Sequence, residues 1–210
     1  MSSGDVDDGG YEHEEPGVAA PDPDPQRVRA DALRLPALLA EWEREWRDCG
    51  ADVDALLHPG LPADRVRLEL RRAGIDSDPV LAEIWFGWHN GTVDTRFQVE
   101  ASHNVLLSLD EALHERRLIE EAMAHPEWHW TASTSAPLFP GFLPLLSDMR
   151  TEHTRYTLAI DLGSSSLWTT HWEPGGSAQI RPVPTTPMHK PTLADTIETN
   201  WLHWLREDEA

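Results

Sequence analysis

The stretch Trp85-Phe86-Gly87-Trp88-His89-Asn90-Gly91 reads as the last turns of a buried helix with its stop signal attached. Trp85 and Trp88 lie three residues apart and share one helical face. Asn90 and Gly91 tolerate the left-handed backbone that a chain adopts on leaving a helix. Upstream, Asp76-Ser77-Asp78-Pro79 supplies the start, because side-chain oxygens cap the first free amides and proline fits an opening turn. Nothing in this helix suggests chemistry; it marks core.

Working outward, the spacing of Leu35, Leu38, Leu39, Trp42 and Trp46 predicts an N-terminal helix over 29–46, with Pro36 in or just before its first turn. A second helix is expected from Ala63 to Ala73, after the breaker His58-Pro59-Gly60. Phe97 to Glu100 alternates like a short strand, and Ser108-Leu109-Asp110-Glu111 has the form of a capping box opening a helix to Ala124. Beyond Pro126 the period changes. Phe142–Leu146, Tyr156–Leu162, Leu167–Trp172 and Ala178–Val183 read as strands, and Thr192 caps a last helix whose Leu193, Ile197, Trp201, Trp204 and Leu205 would lie on the sheet. The pattern predicts an α+β fold, with a largely antiparallel sheet packed with N-terminal helices and one C-terminal helix.

Charge divides the chain unevenly. The 210 residues hold 37 acids against 17 Lys and Arg, a net charge of −20. Residues 1 to 26 contain eight of the acids and no Lys or Arg, which leaves 29 acids and 17 bases, net −12, for the rest. Rich in Gly, Pro and acids, the first 28 residues are expected to be a disordered acidic tail; residues 29–207 then form the domain. A field of this sign repels nucleic acid and anionic membrane, and it steers basic proteins inward. There is no apolar run of membrane-spanning length and no secretory signal pattern, so a cytoplasmic location is expected. Cys49 is the only cysteine, which excludes an internal disulfide and a cysteine-built zinc site, and suits a small half-buried residue.

The candidate sites are few. The ten tryptophans fall into five close pairs, and most of the spacings suit packing. Trp128 and Trp130 lie in a His-rich loop and are candidates for anchoring a protein partner. His125 and His129 have a four-residue spacing, but Pro126 intervenes and no third ligand is identifiable, so no metal is expected. Ile160-Asp161-Leu162-Gly163-Ser164-Ser165-Ser166 resembles a phosphate-binding hairpin, yet fewer than fifty residues follow it. It reads as a strand ending in a turn, and no cofactor or catalytic residue is expected.

Several short motifs in a fixed order make the chain similar to the SUKH superfamily, typified by fungal cell-wall assembly regulators of the Smi and Knr type. They are Leu35-Pro36 with Trp42, Pro59-Gly60, Trp88-His89-Asn90-Gly91, Leu107-Ser108-Leu109-Asp110-Glu111-Ala112, Phe142-Leu143-Pro144-Leu145, Ala159-Ile160-Asp161-Leu162, and the closing helix from Leu193 to Leu205. Ser147 to His153 is longer than the family's tight Asp-x-x-Gly turn and lacks glycine. The resemblance marks Trp85, Trp88, Asn90, Gly91 and Asp161 as family core positions. It implies a non-catalytic immunity protein that neutralises a polymorphic or contact-dependent toxin domain, a basic protein encoded nearby, by occluding it. The alternative it implies is a regulatory scaffold or adaptor without a toxin partner. Asp94, Glu100, Asp110 and Glu111, acids near the first strands and the helix that follows, are candidates for the partner-binding surface.

Overall fold

The computed structural model describes residues 21–93, 105–124, 138–148, 155–172, 178–183 and 191–207. The first helix, α1 (Pro25–Asp48), starts earlier than its apolar periodicity indicates, because Asp24 caps it by accepting the Arg27 N–H at 3.0 Å and Pro25 takes the opening turn. Val28 is already buried, so the folded domain includes residues assigned above to the tail. Pro36 lies inside α1, not at its start. An interior proline costs about 3 kcal/mol. Here it sits on the outward side while Leu35, Leu38 and Leu39 beside it are buried, and that burial outweighs the missing hydrogen bond. Cys49, just past the helix, is exposed, not half-buried.

A short helix α2 (Val53–Leu56) leads into strand β1 (Leu57–Pro59), followed by α3 (Ala63–Arg72), α4 (Val80–Trp88) and β2 (His89–Thr92). Strands β1 and β2 pair antiparallel and are too short to show a period in sequence. Between them, Gly60 packs on α4 so closely that a Cβ would lie 1.9 Å from the Gly87 carbonyl oxygen, while the Leu61 N–H donates to Phe86 O at 2.7 Å. The expected strand at Phe97 to Glu100 lies outside the described residues.

The second half is a five-stranded antiparallel meander. It comprises β3 (Val105–Leu106), β4 (Phe142–Ser147), β5 (Arg155–Asp161), β6 (Leu167–Trp172) and β7 (Ala178–Pro182), in that spatial order. Pro144 is tolerated inside β4 because the register shifts beside it, a bulge that leaves Leu145 to accept the Leu107 N–H at 3.0 Å. Helix α5 (Leu109–Ala124) is inserted between β3 and β4 in sequence. It covers one sheet face, where Ile119 packs with Phe139, Phe142, Ala159, Trp168 and Ile180.

The opposite face meets the larger core. Leu143, Leu146, Ile160 and Leu167 join the buried sides of α1 and α4 and of a C-terminal segment made of α6 (Leu193–Thr196), a π-helical stretch (Ile197–Trp201) and α7 (Leu202–Glu207). The C-terminal segment packs mainly along α1, where Trp201 reaches the other rings, and not flat on the sheet. Thr192 caps α6 through a reciprocal capping box with Asp195. No helix among the described residues is long and apolar enough to cross a membrane.

Candidate functional site

Tryptophans of α1, α4 and the C-terminal segment meet in one aromatic cluster. Trp42 and Trp46, Trp85 and Trp88, and Trp201, separate in sequence, come together here. Trp42 lies 4.3 Å from Trp46, 5.6 Å from Trp88 and 4.6 Å from Trp201 by ring centroids, and Trp85 lies 5.9 Å from Trp88. Trp42, Trp46, Trp85 and Trp201 are buried, while Trp88 is half-exposed at the edge of the stack. There the Trp88 Nε1–H donates to Glu43 Oε2 at 2.9 Å, His89 Nε2 lies 3.1 Å from the same oxygen, and Arg47 donates to Glu43 Oε1 at 2.8 Å. Burial alone would raise the Glu43 carboxyl, but these hydrogen bonds from Arg47, Trp88 and His89 hold it below its ordinary value.

Asn90 and Gly91 act differently from a helix stop. His89, in an extended conformation, terminates α4, and Asn90 reaches across to accept the Leu109 N–H at 2.9 Å. Its side chain thereby satisfies a first-turn amide of α5, nineteen residues away in sequence. Gly91 has φ +89° within β2, and a Cβ there would lie 2.5 Å from Ser108 N, so glycine is required twice over. Ser108 and Glu111 close the expected capping box: Glu111 Oε2 accepts the Ser108 N–H and hydroxyl at 2.7 Å each, and the Glu111 N–H donates to Ser108 Oγ.

Asp161 is buried and shapes a turn. It accepts from the Ser164 hydroxyl at 2.5 Å and from the Gly163 N–H. Every amide from Asp161 to Ser166 donates within the protein: Leu162 to Gly141 O, Asp161 to Ser166 O, Ser164 and Ser165 to Asp161 O, and Ser166 to Ser164 Oγ. A phosphate would find no free donor in this loop, which accounts for the resemblance to a phosphate hairpin without the chemistry.

Ser165 adopts a left-handed backbone, φ +59°, a conformation that costs a non-glycine residue on the order of 1 kcal/mol. Its hydroxyl is held by a short hydrogen bond to Asp31, which also accepts the Ala194 N–H at 3.4 Å. Asp31 therefore ties α1 to the β5–β6 turn and to the start of the C-terminal segment. Burial pushes its carboxyl above the ordinary range, against the hydrogen bonds from Ser165, Thr192 and Ala194. In the sequence Asp31 is only a lone acid on the apolar stripe of α1, a signal easily read as solvent-facing.

Of the expected partner-binding residues, Asp94, Glu100, Trp128 and Trp130 lie outside the described residues, as do His125 and His129. Glu111 is exposed but engaged in the cap just described. Asp110 is exposed and lines a cleft of about 560 Å³ between α3 and α5. Glu69, Arg72 and Ala73 form one wall, and Leu113, Arg116, Arg117 and Glu120 extend the other. The periodicity of α3 and α5 is visible in sequence, but their adjacency is not. Among the described residues no group of three or more His, Cys, Asp or Glu side chains is placed to hold a metal ion. No protein-family model matches the chain, and no curated protein sequence matches it.

Proposed function

We propose that this protein is a non-catalytic immunity protein of SUKH type, which acts in the cytoplasm by binding a basic toxin domain and covering its working surface. The observation that carries this reading is the order of motifs along the chain, each tied to a distinct structural task. Pro59-Gly60 meets Gly87 on α4, Trp85 and Trp88 belong to the tryptophan stack, Asn90 caps α5, and Gly91 seats against Ser108. The net charge of −12 outside the first 26 residues supports a basic partner, because a nuclease-type toxin needs Lys and Arg where it meets phosphate.

The decisive experiment is co-expression with the C-terminal domain of the product of the adjacent gene. Survival of cells that die when that domain is expressed alone is the expected result. Continued killing, or an adjacent product that is not toxic, removes the reading in favour of the adaptor alternative. The adaptor role predicts that deleting residues 1 to 20 changes the set of proteins recovered in a pull-down.

A further inference from the structure

The acidic character of the chain does not by itself locate a binding surface, because many carboxylates are already engaged. Glu43 and Asp54 pair with Arg47, Glu83 and Asp64 with Arg67, and Asp195 and Glu198 with Arg34. The cleft between α3 and α5 is arranged differently. Ala73 and Leu113 give its walls apolar patches, and each wall carries one internally neutralised pair, Glu69 with Arg72 at 2.9 Å and Glu120 with Arg116 at 2.9 Å. That leaves Asp110 and Arg117, both exposed and, among the described residues, without a hydrogen bond or ion pair. They sit seven residues apart on one face of α5, about 10 Å along its axis.

The wall is also rigid. Arg116 is buried, and its guanidinium donates to Pro140 O at 3.0 Å and Phe142 O at 2.5 Å, which ties α5 to the start of β4. Beside it Glu115, also buried, accepts from Thr157 at 3.0 Å and from Arg155 at 3.0 Å on β5. The helix that carries Asp110 and Arg117 is thereby fixed against the sheet, so a partner meets a set spacing between them, which lowers the ordering cost of binding.

We infer that this α3–α5 cleft is the recognition site for the toxin domain. It takes a polypeptide segment that sets a Lys or Arg against Asp110 and, about 10 Å further on, an Asp or Glu against Arg117. The assignment rests on the toxin-binding reading above and adds the place and the polarity of contact. A helix carrying the two charges seven residues apart, and so on one face, meets that spacing. A uniformly basic surface does not, since it would leave Arg117 facing like charge.

The test is the dissociation constant of the full chain for the C-terminal domain of the adjacent gene's product, by calorimetry, with thermal melts of every variant. Asp110→Arg and Arg117→Glu are each expected to weaken binding at least about tenfold. Glu121→Arg makes the same change in net charge as Asp110→Arg at an exposed position on α5 outside the cleft, and is expected to stay within about threefold. If a reversal lowers the melting temperature, Asp110→Asn and Arg117→Gln replace it and are expected to give a smaller loss of the same sign. Equal weakening by Asp110→Arg and Glu121→Arg overturns the cleft and leaves general charge steering. Unchanged binding in both cleft variants overturns the cleft while the immunity reading stands. No binding by the unmodified chain overturns both.

Discussion

The two faces of the sheet are packed by different means. On the α5 side a small cluster joins residues from Ile119 to Ile180, and among the described residues Trp168 is its one tryptophan. On the other side the core runs from Val28 to Leu202 and includes Trp42, Trp46, Trp85 and Trp201. The first draws on the strands and the helix inserted among them. The second exists only when the first and last helices meet, so it makes the integrity of the domain depend on its ends.

Breaking the larger cluster should therefore be the most damaging change. Trp42→Ala is expected to cost about 3–5 kcal/mol in urea unfolding, and the equivalent Trp168→Ala in the smaller cluster less. Equal costs would mean that the tryptophan stack repacks around the loss, and the contrast between the faces would fail.

One link between the two regions is the side chain of Asn90, which leaves the α4 end to cap α5. Asn90→Ala is expected to cost about 1–3 kcal/mol by leaving the Leu109 amide unpaired, with amide exchange rising first in the opening turn of α5. Exchange confined to α4 instead would show that Asn90 serves only its own helix.

The smallest expected effect sharpens the picture at the ends of the chain. Asp31 holds its proton more tightly in the folded protein than in the unfolded chain, because burial outweighs its hydrogen bonds. Its contribution is complete below the unfolded carboxylate value and is lost as pH rises through the folded one. Asp31→Asn is thus expected to gain melting temperature relative to the unmodified protein as pH rises above about 4, by no more than a few degrees. The reverse trend would make Asp31 a stabilising anion supported by Arg34 at 3.9 Å.

Local signals in the chain survive folding where a few neighbouring residues suffice to satisfy the backbone. The capping box at Ser108 forms as its spacing indicates, Thr192 caps its helix as expected, and the four long strands lie within a residue of where alternation places them. Pro36 fails as a helix boundary because propensity is a local cost and the burial of α1 is a tertiary gain. The pair β1 and β2 is missed because three and four residues cannot express a period. In the cleft, Asp110 was legible as an acid in a first helical turn. Glu69, Arg72, Arg117 and Glu120 were not, since nothing local says that α3 faces α5.

The sequence by itself determined the fold class, the acidic field, the start of most helices and which residues are apolar enough to be core. Periodicity and capping depend on neighbours within a few positions, and those are written in the chain. Tertiary structure alone decided that Trp42, Trp46, Trp85, Trp88 and Trp201 become one stack, that Asn90 serves the helix after its own, and that Asp31 is buried. It also decided which of the acids remain unpaired beside a cleft. Each of these depends on the distance between residues far apart in the chain, which only the packed core sets.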